Sequence, residues 1–445
     1  MRVPAHKKGS RLDKCNYRPI SLLPVVSKVF ERLVSRQINS FMETRFSKYL
    51  CGFRKGYSTR HALLDMIRNW QKSLNSSGKV GALLMDLSKA FDCLPHDLLL
   101  AKLEAYGFGT SSLRYLQSYL GNRLHRVRIG SQLSDWLEIL IGVPQGSVLG
   151  PILFNIFIND LFLVMSNSSI CNFADDNTLY VCDTSLERVI SRLTADTPDI
   201  VEWFSANALV ANPDKFQLIY PGHNRTDLTL PIGNLNISAC NTVKLLGVTI
   251  DNDLTFYPHI KDLCNKVSQK TRALMRIRSD LSHEKANSLF NAYILSHFNY
   301  CPLVWMYCDK KSHDLLANTH FRALKVKENL FSLTYSELLL KSNSKSIHER
   351  NLTFLVAEVY KSLHHLGPCI SWDIFKPVIH PHDLRRGTSV NTSRPNKKIG
   401  VNSFDFRAGM AWNHIPGTVK QAPDLKSFLN DISRLQIYCK CTYCA

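Results

Sequence analysis

What this chain has little of narrows its class before any motif is read. No segment is apolar for long enough to cross a bilayer. The longest apolar run, residues 151–165, falls short of the roughly 20 residues a spanning helix needs and is broken by Asn155, Asn159 and Asp160. The opening residues, Met1-Arg2-Val3-Pro4-Ala5-His6-Lys7-Lys8, lack the apolar core of a secretory signal. The expectation is a chain that is neither secreted nor membrane-bound and works in the nucleus or cytoplasm. A disulfide framework is missing too: the thirteen cysteines are scattered along the whole length, as reduced thiols are. Three of them gather at the end, Cys439, Cys441 and Cys444. A closed zinc site wants four ligands, and His414 is distant in sequence, so these three read as a frayed tail.

Acid is the scarce charge. Against 55 Lys and Arg stand 36 Asp and Glu, a formal net charge of +19, which favours a polyanionic partner. The surplus is +8 over residues 1–250 and +11 over residues 251–445, so the shorter part is the more basic. Lys and Arg are absent from residues 129–187, where seven acids lie: Asp135, Glu138, Asp160, Asp175, Asp176, Asp183 and Glu187. An acidic centre in a basic protein suits phosphate chemistry, in which cationic walls hold phosphates and carboxylates hold metal ions. The apolar fraction of 45% and charged fraction of 20% are those of a globular chain of two to three domains.

The stretch 169–181 organises what is present. Two short runs rich in Ile, Phe, Leu, Tyr and Val flank Asp175, Asp176 and Asn177, which reads as a tight hairpin with two carboxylates at its tip. Adjacent acids with apolar flanks repel each other and call for a cation. Upstream, an apolar strand over residues 80–85 runs straight into Asp86. That residue reads equally as a catalytic acid fixed by a sheet and as a cap for the next helix. Between these acids lies a loop with three glycines and two prolines, residues 142–151, which opens a helix at about Pro151.

Other segments fill in the frame. Val26, Val29, Phe30, Leu33, Val34 and Ile38 mark a helix by their three- and four-residue steps. Residues 52–63 frame the basic pair Arg54 and Lys55 between two glycines, with Ser58 and Thr59 placed to cap the helix that follows. The alternation Arg123-Leu-His-Arg126-Val-Arg128 suits a strand with one cationic face. Leu186, Val189, Ile190 and Leu193 form one helical stripe, and Thr197-Pro198 looks like the start of the next helix. Residues 243–250 read as a strand. From about Tyr257, an apolar stripe at Ile260, Leu263, Val267, Leu274 and Ile277 is backed by Lys261, Lys266, Lys270, Arg272, Arg276 and Arg278. That is an amphipathic basic helix suited to a nucleic-acid backbone. Residues 375–400 are a polar loop region carrying Arg385, Arg386, Arg394, Lys397 and Lys398.

Asp86, Asp175 and Asp176 together are the constellation that nucleotidyl transfer needs, with two Mg2+ ions about 4 Å apart bridging carboxylates of adjacent strands. Positioning and charge stabilisation supply most of that catalysis. At this point the chain resembles the reverse transcriptases of LINE-type (non-LTR) retrotransposons, particularly their jockey-like branch. The motifs that carry the resemblance are Asn16-Tyr17-Arg18-Pro19-Ile20-Ser21, residues 52–59, Asp86 through Asp92, Gly142-Val143-Pro144-Gln145-Gly146-Ser147, and Phe173-Ala174-Asp175-Asp176. Trp203 through Lys215, residues 246–248, 296–302 and 411–416 are also similar.

The resemblance implies an α+β right-hand polymerase. It would have fingers and an antiparallel-sheet palm over 1–252, a helical thumb over 253–325, and a mostly helical, basic C-terminal extension over 326–445. It implies RNA-directed DNA polymerase activity on an RNA template, a DNA primer and deoxynucleoside triphosphates, with Mg2+ held by Asp86, Asp175 and Asp176 and Mn2+ as a substitute. Phe91 would be the steric gate against a ribose 2′-hydroxyl. Gln145 and Gly146 would meet the incoming nucleotide and template, Arg54 and Lys55 the triphosphate, and Lys215 the pyrophosphate. Asp92 reads as structural. Lys266, Lys270, Arg272 and Arg276 would grip nucleic acid. Cys51 stands where the family tends to have Gln. The family's endonuclease is not seen ahead of the first motif, which suggests a truncated copy. The competing readings are a domesticated fragment that binds nucleic acid without catalysis and, further off, a metal-dependent nuclease.

Overall fold

A computed structural model describes residues 1–7, 9–223, 227–233, 235–378, 388–439 and 441. Arg385, Arg386 and Cys444 lie outside the described residues. The centre is a five-stranded antiparallel sheet. Strand β1 (Lys79–Ser88) lies inside it, paired on one side with β3 (Asp176–Asp183), which in turn pairs with β2 (Ser169–Phe173). On its other side β1 pairs with two short strands, β4 (Val210–Ala211) and β5 (Gln217–Ile219). Alternate residues of β1 enter different cores: Leu83, Met85 and Leu87 one, Val80, Ala82 and Leu84 the other. A strand covered on both faces reads as an unbroken apolar run, which is why residues 80–85 look as they do.

Helices form the two covers. Helix α1 (Val25–Met42) precedes α2 (Thr59–Asn75), whose Leu63, Met66, Ile67, Trp70 and Leu74 recur at helical steps and pack on one sheet face. Helix α3 (Gly150–Ile158) is buried on every side, and α4 (Leu186–Ala206) covers the opposite face. The α4–sheet approach is close: a Cβ at Gly81 would lie 2.6 Å from Val189 Cγ1.

Several expectations are corrected. Helix α4 runs unbroken through Pro198, and buried Thr197 donates its hydroxyl to Leu193 O (2.6 Å) instead of capping a second helix. Ser58 occupies the cap position of α2, but its hydroxyl pairs with His61 Nδ1 (3.0 Å), not with a backbone amide. The strand read over 243–250 is a hairpin, Thr242–Leu245 and Val248–Asp251, turned by Leu246 and Gly247, both at positive φ (46° and 80°). The basic alternation at 123–128 is split between two two-residue strands, and the Arg126 guanidinium lies 4.6 Å from the Trp136 ring centroid. Most of the α1 stripe is open to solvent; Ile38 and Met42 alone of its apolar residues are buried.

Helix α5 (Tyr257–Ile277) buries Ile260, Leu263, Val267 and Leu274 as expected, while Ile277 is exposed. Helices α6 (Lys310–Glu328) and α7 (Ile347–Leu363) follow, then α8 (Phe404–Asn413) and α9 (Leu425–Ser433). The C-terminal part is no loose appendage. Buried Glu358 of α7 meets Arg60 (3.1 Å) and His61 (3.4 Å) of α2. Asp405 of α8 pairs with Arg68 and Lys72, and Leu64 of α2 shares a core with Leu355, Val359, Trp412 and Phe428. Among the described residues no helix is long and apolar enough to cross a membrane, and no disulfide joins the described cysteines.

Candidate active site

The pairing register decides the site. On β1 and β3, Asp86 stands directly opposite Asp176, and on β2 and β3 Phe173 stands opposite Asp176. Side chains opposed in this way sit about 4.5–5.5 Å apart at Cβ, on one face. Only Ala174 and Asp175 remain for the turn. The tip is thus Ala174-Asp175, and Asp176 and Asn177 belong to the strand, one step further in than the sequence suggests.

Two buried amides hold the turn. Asn172 Nδ2 donates to Ala174 O and to Asn177 Oδ1 (2.9 Å each), and Asn177 Nδ2 donates to Asp175 O (3.2 Å). Ala174 takes a left-handed backbone (φ 59°), which for a residue with a Cβ costs roughly 1 kcal/mol. Gly52 presses on the turn from outside. A Cβ there would stand 2.5 Å from Ala174 N, so only glycine lets the two backbones meet, and Asn155 Nδ2 fixes Gly52 O at 2.8 Å. Asn172, Asn177, Asn155 and Gly52 are positioning residues, a role the sequence by itself did not assign them. Their one legible signal is polar side chains in otherwise apolar strands and a glycine ahead of the basic pair.

Electrostatically the triad is unfavourable by itself. Burial first, then Asp175 and Asp86, push the Asp176 carboxyl up to about 6. Asp175 is raised by burial and by Asp86, against the pull of its own backbone amide, Arg18 and Lys7. Among the described residues Asp86 forms one ion pair, with Lys215 Nζ at 3.2 Å. The short turn Pro213–Lys215, capped by Asn212 Oδ1 on Asp214 N, places that lysine, and Asn212 N also donates to Asp86 O (3.4 Å). Three crowded carboxylates with one exposed ammonium are a donor set short of positive charge, and their all-oxygen chemistry fits a hard divalent cation.

Around the acids the other expected residues divide. The Phe91 ring stacks on Phe154 (4.5 Å) and meets Phe53 edge-on (5.7 Å), so it is fixed. Gln145 Nε2 donates to Asp92 Oδ2 (2.7 Å), while Gly142 N, Val143 N and His96 Nε2 bond the loop to residues 91–96. Gly146 is exposed at φ 103°, a conformation suited to glycine, against Ser21 O. Buried Glu31 accepts from Val148 N (2.6 Å) and Leu149 N (3.2 Å) and so fixes the start of α3. Lys55 is exposed.

Arg54 is a correction. It is 6% exposed, paired with Glu43 (2.9 Å) and bonded to Ser47 O and Leu50 O, so its charge braces its own loop and does not face a ligand. Arg18, on the N-terminal ribbon Arg2–His6/Tyr17–Ser21, and Lys7, just past its first strand, act on Asp175 instead. On α5, Lys266, Arg272 and Arg276 are exposed and Lys270 lies over Tyr293 (5.5 Å), and just beyond the helix Arg278 donates to Lys327 O and Leu281 O.

A family model described as reverse transcriptase (RNA-dependent DNA polymerase) matches residues 5–250. The chain belongs to that family. Its α+β architecture, with the acids on an antiparallel sheet, is that of a right-hand polymerase. Among curated proteins it is 27% identical over 415 residues to the probable RNA-directed DNA polymerase from transposon X-element of Drosophila melanogaster, covering 88% of this chain and 43% of that protein. It is 30% identical over 275 residues to the RNA-directed DNA polymerase from mobile element jockey of the same species, covering 59% of this chain and 30% of that protein. The chain thus spans less than half of these relatives. Among solved structures it is similar to apo telomerase from Candida tropicalis, with 12% identity, coverage of 78% of this chain and 61% of that one, and a TM-score of 0.39.

Proposed function

We propose that this reverse transcriptase chain is the polymerase part of a non-LTR retrotransposon's RNA-directed DNA polymerase, extending a DNA primer on an RNA template with deoxynucleoside triphosphates. The observation that carries the reading is Asp86 in register with Asp176, with Asp175 in the turn beside them. Residues 1–252 act as fingers and palm, 253–325 as thumb, and 326–445 as a helical buttress behind α2.

Asp86, Asp175 and Asp176 hold two Mg2+ ions, with Mn2+ a substitute. When bound, these supply the charge that eases deprotonation of the primer 3′-hydroxyl and offsets that of the triphosphate. The rest falls to the chain. The sheet keeps the three carboxylates in one geometry through the reaction. Phe91, wedged between Phe53 and Phe154, is a wall that a ribose 2′-hydroxyl meets and a deoxyribose does not. Gln145, held by Asp92, keeps its amide oxygen for the nucleotide, and Gly146 leaves room for the template. Lys215 and Lys55, with Lys7 and Arg18 from the N-terminal ribbon, carry positive charge toward the triphosphate. Lys266, Lys270, Arg272 and Arg276 of α5 track the nucleic-acid backbone.

Primer extension on an RNA template with Mg2+ tests this, with Asp175→Asn as the comparison. The variant should lose at least about a hundredfold in incorporation, since one metal ligand carries several kcal/mol of charge stabilisation. Equal incorporation by both proteins would end the catalytic claim. Cleavage of labelled template in place of extension would shift the same carboxylates to a nuclease role.

A further inference from the structure

Cys439 and Cys441 do not fray. Cys439 and Cys441 both bring Sγ to within 3.5 Å of one atom, His348 Nε2, in the first turn of α7. The three ligand-type atoms all lie within 4.8 Å of one another. Cys439 is 2% exposed and His348 8%. Ninety-one residues separate Cys439 from His348, which is why a search for a local ligand spacing misses the group. The tail backbone is fixed as well, since buried Arg407 donates to Cys439 O (3.0 Å) and to Asn402 Oδ1 (2.9 Å).

We infer that His348, Cys439 and Cys441 form a structural Zn2+ site that fastens the C-terminal tail to α7. Geometry is the first argument. Bonds of about 2.3 Å to sulfur and 2.0–2.1 Å to nitrogen at tetrahedral angles put nitrogen and sulfur about 3.6 Å apart. The two observed separations are 3.5 Å. Chemistry is the second. An imidazole nitrogen has one lone pair or one proton, so it serves a single good hydrogen bond, yet two sulfurs approach it equally. A soft-ligand cation accounts for both contacts at once, and two thiolates with one imidazole select zinc over the hard ions of the polymerase site. Binding displaces the proton of each thiol and requires His348 Nε2 to be deprotonated as well.

The position gives the site a purpose. Helix α7 carries His348 near its start and, further along, Glu358 against Arg60 and His61 of α2. An ion at His348 ties the tail to the helix that braces α2, and closes the layer formed by α7, α8 and α9.

The test uses the full chain purified in reducing buffer without chelator. Metal analysis should find about one zinc per chain in the wild type and less than a tenth of that in His348→Ala and in the Cys439→Ser/Cys441→Ser double variant. Stripped wild-type protein given Co2+ should develop the visible d–d absorption of a tetrahedral thiolate site, at one equivalent. The double variant should not, and Cys240→Ser, a thiol elsewhere, should behave as wild type. Should a variant fold poorly, the Co2+ titration of the wild type alone decides. Wild-type protein with neither zinc nor a Co2+ band, or variants retaining full zinc content, overturns the inference. This outcome is independent of polymerase activity, so either reading can fail alone.

Discussion

The acids that define the site should weaken the metal-free fold, and Asp176→Asn measures by how much. The carboxyl of Asp176 is raised from 3.8 to about 6, by burial and then by its two acidic neighbours. A rise of about two units corresponds to about 3 kcal/mol between the protonation states. Asp176 is only partly buried, and solvent screening brings this to about 1–2 kcal/mol. The sign follows from which state binds the proton more tightly. Folded Asp176 does, so the wild type holds its full stability below pH about 4 and loses this contribution as pH rises through about 6. Asparagine has the same shape and no charge to lose. In EDTA at pH 7.5 the variant should therefore be more stable by about 1–2 kcal/mol, with the gap closing toward pH 4. Mg2+ should narrow the gap at pH 7.5. With a site Kd of about 1 mM, about 10 mM Mg2+ adds about 1.4 kcal/mol to the wild type and less to the variant. Urea unfolding in EDTA and in Mg2+, at pH 7.5 and pH 4.5, reads all four values. If the variant is no more stable in EDTA at pH 7.5, or Mg2+ stabilises both proteins alike, the three carboxylates are not the mutually repelling metal site described above.

Three further outcomes are expected. Glu358, buried yet brought down to about 2 because His61 and Arg60 outweigh its desolvation, should matter to the whole fold; Glu358→Gln should lower stability by about 3 kcal/mol at pH 7, and less as the wild type itself weakens below pH about 4.5. Unfolding by circular dichroism checks this, and a loss below about 1 kcal/mol would mean that the C-terminal helices do not brace α2. Gly52→Ala puts a methyl group 2.5 Å from Ala174 N, so it should cost about 1–3 kcal/mol and cut incorporation more than tenfold by moving Asp175, with KM for nucleotide nearly unchanged. Charge removal at Arg272 and Arg276 should weaken binding to all sequences alike and flatten the dependence of log affinity on log salt by about 1 for each phosphate no longer neutralised, as fluorescence anisotropy would report; an unchanged slope would take α5 off the nucleic acid.

Much of the site was legible in the chain because local chemistry announces it. A run such as Val80 to Met85, apolar on both faces, has to be an interior strand, and an acid at its end has to be held rigidly. The Asp175-Asp176 pair between two β-prone runs has to be a hairpin. The helical stripe of α5 with its cationic back follows from a period of 3.6 residues alone. Other features depend on which surfaces meet. The α1 stripe has the same periodicity as α5 but faces solvent, since periodicity reports a face and not its partner. Arg54 looked like a phosphate ligand until Glu43, eleven residues earlier, took its charge. Thr197-Pro198 had the form of a helix start, and packing of Ile200 and Phe204 into the same core as Val189 and Leu193 outweighed it.

The amino-acid order by itself therefore settled the strand–acid and hairpin–acid units, the charge asymmetry and the polymerase family, because each is read from short motifs, their order or composition without knowing which surfaces meet. Tertiary structure alone decided that Asp86 faces Asp176 and not a residue one step along, since a register slip turns every side chain to the opposite face. It alone drew Lys215 to Asp86, and Cys439 and Cys441 to His348. Contacts across ninety or more residues leave no local pattern: what holds them is the burial of intervening helices, a sum over the whole fold that no window of sequence contains.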